Sequence, residues 1–156
     1  MGRIGRMLGI ALAVAALAAA TGCGGDDDGG SDRAARPTGE KGRVLDAVAA
    51  YGKAIADEDA DAACDVLTDK ARDAASQAVP GTTTCEAAHR QIMAILKDED
   101  RKKFGDQLGG DTELSVQISG ETAQAFRPPN TAQSLPLRRV DGEWKLDKNP
   151  LYFNRK

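Results

Sequence analysis

The first regular pattern of apolar positions in the folded part of this chain is that of a helix. Four apolar residues recur at intervals of four, three and four positions, so they form one stripe on a helical surface. They are Val44, Val48, Tyr51 and Ile55. The acidic run 57–59 follows at once and marks the end of the stripe. We therefore predict an amphipathic first helix with one buried face.

Capping residues predict three further helices. Asp59 can cap a short helix that extends to Leu67, and Thr68 can cap a second one over 69–79. The stretch 83–86, Thr-Thr-Cys-Glu, has the spacing of a capping box, in which the first and last side chains satisfy each other's backbone N–H groups. A third helix is expected after it.

Beyond Gly109-Gly110 the apolar period changes from that of a helix to that of a strand. Leu114, Val116 and Ile118 alternate with polar residues, as in a strand with one buried face. Helices first and strands afterwards, without βαβ alternation, predict an α+β domain with an antiparallel meander. The remaining predicted elements are strands at 122–127, around Leu135 and Leu137, and at 143–147, a longer loop at Pro128-Pro129-Asn130, and a hairpin turn at Asp141-Gly142.

The N-terminal 22 residues have the composition of an export signal. Residues 1–6 carry two arginines and no acid, and residues 7–20 are an uninterrupted run of apolar residues and glycine. This run is shorter than the about 20 residues that a membrane-spanning helix needs. It has the length of the apolar core of a signal peptide.

The stretch Ala20-Thr21-Gly22-Cys23 resembles the lipobox of bacterial lipoproteins, with Ala20 where leucine is usual. In a lipobox, diacylglycerol is attached to the cysteine and the peptide is cut before it. The resemblance implies a signal peptide over 1–22 and a protein held to the membrane by lipid on Cys23. The alternative is an ordinary signal-peptidase site at 18–20, which would give a secreted soluble protein.

Residues 23–41 are predicted to be a flexible tether. The stretch 24–30 contains only glycine and aspartate, which cannot bury apolar surface. The remaining residues, 42–156, are enough for one α+β domain.

The three cysteines predict a disulfide. If Cys23 carries lipid, Cys64 and Cys85 remain, and an oxidising compartment would join them. Each lies on the apolar face of its own predicted helix; the alternative is two buried free thiols. Neither belongs to a C-x-x-C pair, and His89 alone cannot complete a zinc site, so we expect no metal and no cofactor.

The charge balance argues against two classes of partner. The chain has 21 basic and 24 acidic residues, a net charge of −3, and loss of the leader arginines makes it more acidic. A nucleic-acid-binding protein needs a basic face, and so does a protein that binds membranes through its own side chains. We expect neither activity.

Two stretches carry a resemblance to a known superfamily. Residues 56–64 follow the helix that contains Tyr51, and residues 137–146 read Leu-Arg-Arg-Val-Asp-Gly-Glu-Trp-Lys-Leu. Together they resemble small exported proteins of the nuclear transport factor 2-like superfamily, over about 43–147. The resemblance implies a curved antiparallel sheet around the first helix, forming a cone with a pocket at its mouth. The chain departs from better-known members, since it has an additional helix and no evident pocket Asp/His pair.

Few polar residues are candidates for catalysis or for binding a metal ion. His89 flanks the apolar face of its helix, so we expect a half-exposed surface residue and not a general base. Asp57, Asp59 and Asp61 lack the glycine and distal glutamate of an EF-hand loop and are better explained as helix-start acids. The charged run 97–103 is expected to be solvated surface.

Three aromatic residues are candidates for lining a pocket. They are Tyr51, Phe126 and Trp144; the alternative for Tyr51 and Trp144 is that they are core residues. The aromatic segment 150–153 is expected to cover the sheet, or alternatively to contact a partner.

These observations predict a membrane-anchored, extracytoplasmic lipoprotein that is not an enzyme. Its domain would bind a small ligand or an envelope protein. One alternative is an isomerase- or cyclase-type enzyme of the SnoaL kind. Another is a structural domain that forms a homodimer through its sheet.

Overall fold

The computed structural model describes residues 37–109, 113–127 and 130–152. Along these residues lie five α-helices, four β-strands and a final 3-10 turn, which confirms the α+β class. The helices are α1 (Gly39–Ala56), α2 (Ala60–Asp65), α3 (Asp69–Ala78), α4 (Cys85–Ile95) and α5 (Asp98–Gly109). The strands are β1 (Ser115–Ser119), β2 (Thr122–Arg127), β3 (Asn130–Val140) and β4 (Glu143–Leu146), and the 3-10 turn is Pro150–Tyr152. The predicted signal peptide and Cys23 lie outside the described residues.

The four strands form one open antiparallel sheet in the order β1-β2-β3-β4, as the predicted meander requires. Asp141 and Gly142 join β3 to β4 with φ values of 51° and 85°, and a type I′ hairpin needs positive φ at both positions. Asn130 already pairs with Arg127. The longer loop predicted at 128–130 is therefore wrong, because only 128–129 lie between the paired residues.

Side-chain caps mark the first residues of three helices, α2, α3 and α4. The side chains of Asp59 and Thr68 each accept a hydrogen bond from the backbone N–H three residues later, at 2.9 and 3.3 Å, which confirms both predicted caps. Helix α4 is capped in the same way by Thr84, at 3.1 Å. The predicted cap at Thr83 is wrong by one position, because consecutive threonines offer the same local chemistry. Helix α1 begins at Gly39, inside the stretch predicted to be tether.

The charged run 97–103 is exposed, as expected, at every position except Arg101, and most of it lies in helix α5. The helix packs along α1, and Arg101 is only 5% exposed. Its guanidinium donates to the carbonyl oxygens of Met93 and Leu96, at 3.0 and 2.6 Å, and also pairs with Glu58. Arg101 thus satisfies carbonyl groups at the end of α4, which the helix itself leaves without partners.

Two glycines allow α1 and α5 to approach closely. A Cβ atom added at Gly105 would lie 2.8 Å from the carbonyl oxygen of Gly52 and 3.0 Å from the Cβ of Ala56. A Cβ added at Gly52 would lie 2.9 Å from the carbonyl oxygen of Gly105. Any larger side chain at either position would push the two helices apart.

Helix α1 packs against the sheet and supplies much of the core. Its predicted apolar stripe is confirmed, since all four side chains are 0% exposed: Val44, Val48, Tyr51 and Ile55. Trp144 and Leu146 of β4 belong to the same cluster. None of the described helices has the length and apolar character that crossing a membrane requires.

A short backbone pairing positions α3. The N–H of Thr68 donates to the carbonyl of Leu146, and the N–H of Leu146 donates to the carbonyl of Val66, both at 2.9 Å. These bonds join the α2–α3 connection to β4. Helix α3 consequently begins beside the segment that follows β4, and the candidate site lies between them.

Candidate functional site

Cys64 and Cys85 are joined by a disulfide, as predicted. Their Cα atoms are 6.1 Å apart and both side chains are buried. Cys64 lies near the end of α2 and Cys85 is the first residue of α4. The bond therefore holds together two short helices, one of only 6 residues, which would be marginal alone.

His89 is fully buried, so the expectation of a half-exposed surface residue is wrong. Its ring meets that of Tyr51 edge to face, with centroids 6.0 Å apart. Its Nδ1 atom lies 3.4 Å from the sulfur of Cys64 and 3.4 Å from that of Cys85. A histidine can be buried where partners satisfy its ring nitrogens. Here those partners are contributed by α1, α4 and the segment after β4.

The hydrogen-bond partners of His89 specify its tautomer. The backbone N–H of Leu151 and the hydroxyl of Tyr51 both donate to Asn149 Oδ1, at 2.9 and 2.6 Å. Asn149 Nδ2 is then the donor to His89 Nε2, at 3.2 Å. His89 Nδ1 lies 2.9 Å from the carbonyl oxygen of Cys85, which can only accept. The imidazole is therefore neutral, with its proton on Nδ1.

Burial shifts the pKa values of this network. Desolvation lowers the pKa of His89, although the Cys85 carbonyl and the Glu86 carboxylate act in the opposite direction. Desolvation also raises the pKa of Tyr51 well above its usual value. Both side chains are consequently neutral at neutral pH. Their role is structural, because they tie the segment containing Asn149 to the core.

The disulfide determines what this cluster can do chemically. Donor atoms of Cys64, Cys85 and His89 lie within 4.8 Å of one another, close enough to surround one ion. In the disulfide, however, neither sulfur is a thiolate, the form of cysteine that binds metals. The His89 nitrogen that faces the sulfurs carries a proton. While the disulfide is intact, Cys64 and Cys85 therefore serve as a covalent cross-link between α2 and α4.

A groove of about 470 Å³ lies between α3 and the segment that follows β4. Small-ligand sites in proteins typically have volumes of roughly 300–1,000 Å³. The residues that line the groove are Lys70, Ala71, Ala74, Ala78, Asp147, Lys148, Asn149 and Tyr152.

The groove exists because one face of α3 is made of alanines. Ala71, Ala74 and Ala78 are spaced by three and four positions, so they lie on one side of the helix. Their small side chains leave a space that larger residues would fill.

The opposite wall is the segment from Asp147 to Tyr152. Asn149 is held by the His89 network, and Asp147 accepts from the hydroxyl of Thr68 at 3.1 Å. Leu151 and Tyr152 pack against a cluster formed by Val79, Ala88 and Ile92. The same two residues also pack against the main core cluster, which includes Leu146 of the sheet, and Phe153 lies outside the described residues.

The aromatic residues proposed to line a pocket lie elsewhere. Tyr51 is fully buried in the core, and Phe126 is half-buried on β2. Trp144 is 5% exposed; its Nε1 donates to Glu40 at 2.7 Å, and Arg139 lies 5.0 Å from its ring centre. The structure does not place any of the three among the residues that line the groove, and Tyr51 and Trp144 are core residues.

No family model, no characterised protein and no solved structure matched the chain. Its function is therefore inferred from the groove, the disulfide and the N-terminal sequence.

Most of the groove is not evident from the sequence. The alanine face of α3 is visible there, since 71, 74 and 78 share a helical face, but an alanine-rich helix usually indicates only tight packing. Asn149 gives no sequence signal, because its role depends on His89 and Tyr51, which are 60 and 98 residues away.

Proposed function

We propose that this chain is a lipid-anchored bacterial lipoprotein whose folded domain stands outside the cytoplasm and binds a small ligand without catalysing a reaction. The anchor is supported by the lipobox-like stretch that ends at Cys23 and by the glycine- and aspartate-rich tether after it. The disulfide supports an oxidising compartment, because such bonds are rare in the cytoplasm.

The observation that carries the binding function is the groove beside α3. It has the volume of a small-ligand site, an alanine floor, and a small number of polar groups at its margin. One wall is held rigidly, since Asn149 is fixed by Tyr51, His89 and the backbone of Leu151. A pre-formed wall lowers the entropy lost when a ligand binds.

The cone of the nuclear transport factor 2-like superfamily is part of the same proposal. The long helix α1 packs against an antiparallel sheet, as it does in that fold. The described sheet is open, and the groove lies outside it, beside α3. A binding site in this chain would therefore differ in position from the cone's mouth.

A SnoaL-like enzyme is the second candidate, because Asp147 and Tyr152 line the groove and either could move a proton. Binding is better supported. The Asp147 carboxylate already accepts from Thr68 and lies 3.6 Å from the Lys70 ammonium. His89 is buried behind Asn149.

Dimerisation through the sheet has less support in the described residues. The face of the sheet turned away from α1 is largely polar, and homodimer interfaces are more apolar than the rest of the surface. Its exposed residues include Gln117, Thr122, Gln124 and Arg138. Sedimentation of a stable dimer at micromolar concentration would favour this alternative.

The ligand-binding function is tested with the mature chain from residue 23, carrying Cys23→Ser so that no detergent is needed. We expect at least one compound in a screen of envelope components and apolar metabolites to raise its melting temperature. Ala74→Leu should abolish that shift by filling the groove. The matched control is Ala94→Leu, another exposed alanine on a helix. A broad screen without any binder would contradict the function.

The anchor is tested separately, on protein from a bacterial membrane fraction. The intact mass should include a diacylglyceryl group, and Cys23→Ser should release the domain from membranes or leave the precursor uncut. A native N-terminus at Thr21 would contradict lipidation.

A further inference from the structure

The disulfide and the imidazole beside it form a buried cluster of three side chains from two helices. Cys64, Cys85 and His89 are 0%, 4% and 0% exposed. Their donor atoms lie within 4.8 Å of one another. In the disulfide neither sulfur is a thiolate, so the oxidised chain cannot use this convergence to bind a metal ion. In a chain whose two cysteines are thiols, the same three side chains become a set of metal ligands.

The distances in the cluster already match part of a zinc coordination sphere. Zinc lies about 2.3 Å from cysteine sulfur and about 2.0–2.1 Å from histidine nitrogen, so a nitrogen and a sulfur on one tetrahedral ion are roughly 3.5 Å apart. His89 Nδ1 lies 3.4 Å from each of the two sulfurs. Two of the three distances between ligand atoms are therefore suitable, and reduction allows the two sulfurs to separate.

His89 can present Nδ1 to a metal ion by moving its proton to Nε2. The oxygen of Tyr51 lies 3.1 Å from Nε2 and can accept that proton, since the hydroxyl proton of Tyr51 is donated to Asn149. The Cys85 carbonyl loses the Nδ1 donor, but within helix α4 it still accepts from the backbone N–H four residues later. Asn149 Nδ2 loses its acceptor on the ring, so the cost of the change falls on one wall of the groove.

Charge and helix position favour a divalent ion at this cluster. Two thiolates and a neutral imidazole carry two negative charges, which Zn²⁺ neutralises, whereas a monovalent ion would leave a buried charge. Cys85 is the first residue of α4, where the positive end of the helix dipole stabilises a thiolate. Two cysteines and one histidine are a donor set that zinc uses in proteins, with water as its fourth ligand.

We propose that the reduced chain binds one Zn²⁺ ion through Cys64, Cys85 and His89, so that zinc and the disulfide are alternative cross-links between α2 and α4. A dithiol reductant gives two electrons and two protons to the disulfide and becomes a disulfide itself. Zn²⁺ then displaces the two thiol protons, while the imidazole keeps its proton on Nε2. A newly exported chain, whose cysteines are not yet oxidised, is in the reduced state without any reductant.

The first test is calorimetric titration of the mature Cys23→Ser chain with Zn²⁺. The chain is reduced with a dithiol and separated from it in the absence of oxygen. We expect the reduced chain to bind one ion with release of protons, and the oxidised chain to lack this site. Zinc should also raise the urea midpoint of the reduced chain, because a ligand of the folded form stabilises it. Equal binding by the oxidised chain, or a lower midpoint with zinc, would overturn the proposal.

Spectroscopy of the unsubstituted site identifies the ligand atoms. Since the chain has a single histidine, ¹H–¹⁵N spectra of the imidazole are unambiguous, and they should show the proton on Nδ1 in the disulfide form and on Nε2 in the zinc form. X-ray absorption of the zinc form should find two sulfurs at about 2.3 Å and two lighter atoms at about 2.0–2.1 Å. A single sulfur, or an imidazole that zinc leaves unchanged, would overturn the assignment.

Variants separate this site from surface carboxylates. His89→Gln should weaken zinc binding to the reduced chain by more than about tenfold, because loss of an outer partner of a metal ligand alone costs that much. Gln91→Ala, at an exposed position on the same helix, is the matched control and should leave the affinity unchanged. Cys64→Ser with Cys85→Ser should abolish binding. Retained affinity in that double variant would place the ion elsewhere and overturn the proposal, and the spectra decide the matter if His89→Gln does not fold.

Discussion

At the scale of single residues, Asn149 connects the two features of the site. This residue is among those that line the groove, and its Nδ2 donates to the buried imidazole of His89. His89 in turn contacts both sulfurs of the disulfide through Nδ1. A change in His89 is therefore transmitted to one wall of the groove through the hydrogen bonds that His89 and Tyr51 make to Asn149.

Protonation of His89 should destabilise the domain. Its pKa is lowered in the folded state by burial, so the unfolded chain takes up the proton first as pH falls. The free energy of unfolding should be constant above about pH 6.5. Below that it should decrease by up to about 1.4 kcal/mol per pH unit, until the pH reaches the folded pKa.

Urea denaturation between pH 7.5 and 5 measures this effect. The chain has a single histidine, so the part of the slope that is lost in His89→Gln belongs to that imidazole. His89→Gln should be less stable at pH 7.5 and lack the slope. A wild-type profile that stays flat down to pH 5 would contradict the buried, neutral imidazole.

At the scale of elements, the contacts between helices depend on small residues and on one covalent bond. Helices α1 and α5 approach through Gly52 and Gly105, and α2 and α4 are held by the disulfide between Cys64 and Cys85. Local propensity alone would not maintain these helices, because short isolated helices are marginal in water.

The close approach of α1 and α5 predicts an unusual result for a glycine-to-alanine change. In an exposed helix this change stabilises by about 1 kcal/mol. Gly105→Ala should instead destabilise by about 1–3 kcal/mol, because the added Cβ would lie 2.8 Å from a backbone carbonyl. Gln107→Ala, an exposed position on the same helix, is the control and should be nearly neutral. Greater thermal stability of Gly105→Ala would show that the two helices do not pack in this way.

The disulfide should account for a large part of the stability of α2 and α4. It closes a loop with a sequence separation of 21 residues, for which the chain-entropy model gives roughly 3 kcal/mol. The double variant Cys64→Ala, Cys85→Ala should lose about that amount in urea denaturation. Thiol titration of denatured mature protein should find neither cysteine free; two free thiols would refute the cross-link.

At the scale of the whole molecule, the sequence correctly predicts the features that depend on residues close together in the chain. The side chains of Asp59 and Thr68 cap helices by accepting from backbone N–H groups three residues later. Asp141-Gly142 forms a turn without help from distant residues, and the apolar stripe of α1 repeats with a helical period. The apolar pattern does not predict helix α5, because its buried positions are Arg101 and Gly105, neither of which is a large apolar residue. The sequence pattern wrongly predicts a surface position for His89, because the partners that allow its burial, Tyr51 and Asn149, are distant in the chain.

The groove could not be predicted for the same reason. Its floor is a set of alanines whose meaning depends on what faces them. The facing segment is brought there by the pairing of Leu146 with Val66 and Thr68, and it is held by Asn149. The backbone pairing and the hydrogen bonds of Asn149 are tertiary contacts, and the periodicity of apolar residues in the sequence does not predict such contacts.

The central claim is that the ligand site is the groove beside α3. The most direct test is an NMR chemical-shift map of the mature Cys23→Ser chain, recorded with the tightest binder that the screen provides. The account predicts that the perturbed amides cluster on Ala71, Ala74 and Ala78 and on the segment 147–152. Perturbations confined to the outer face of the sheet, with those residues unchanged, would contradict it.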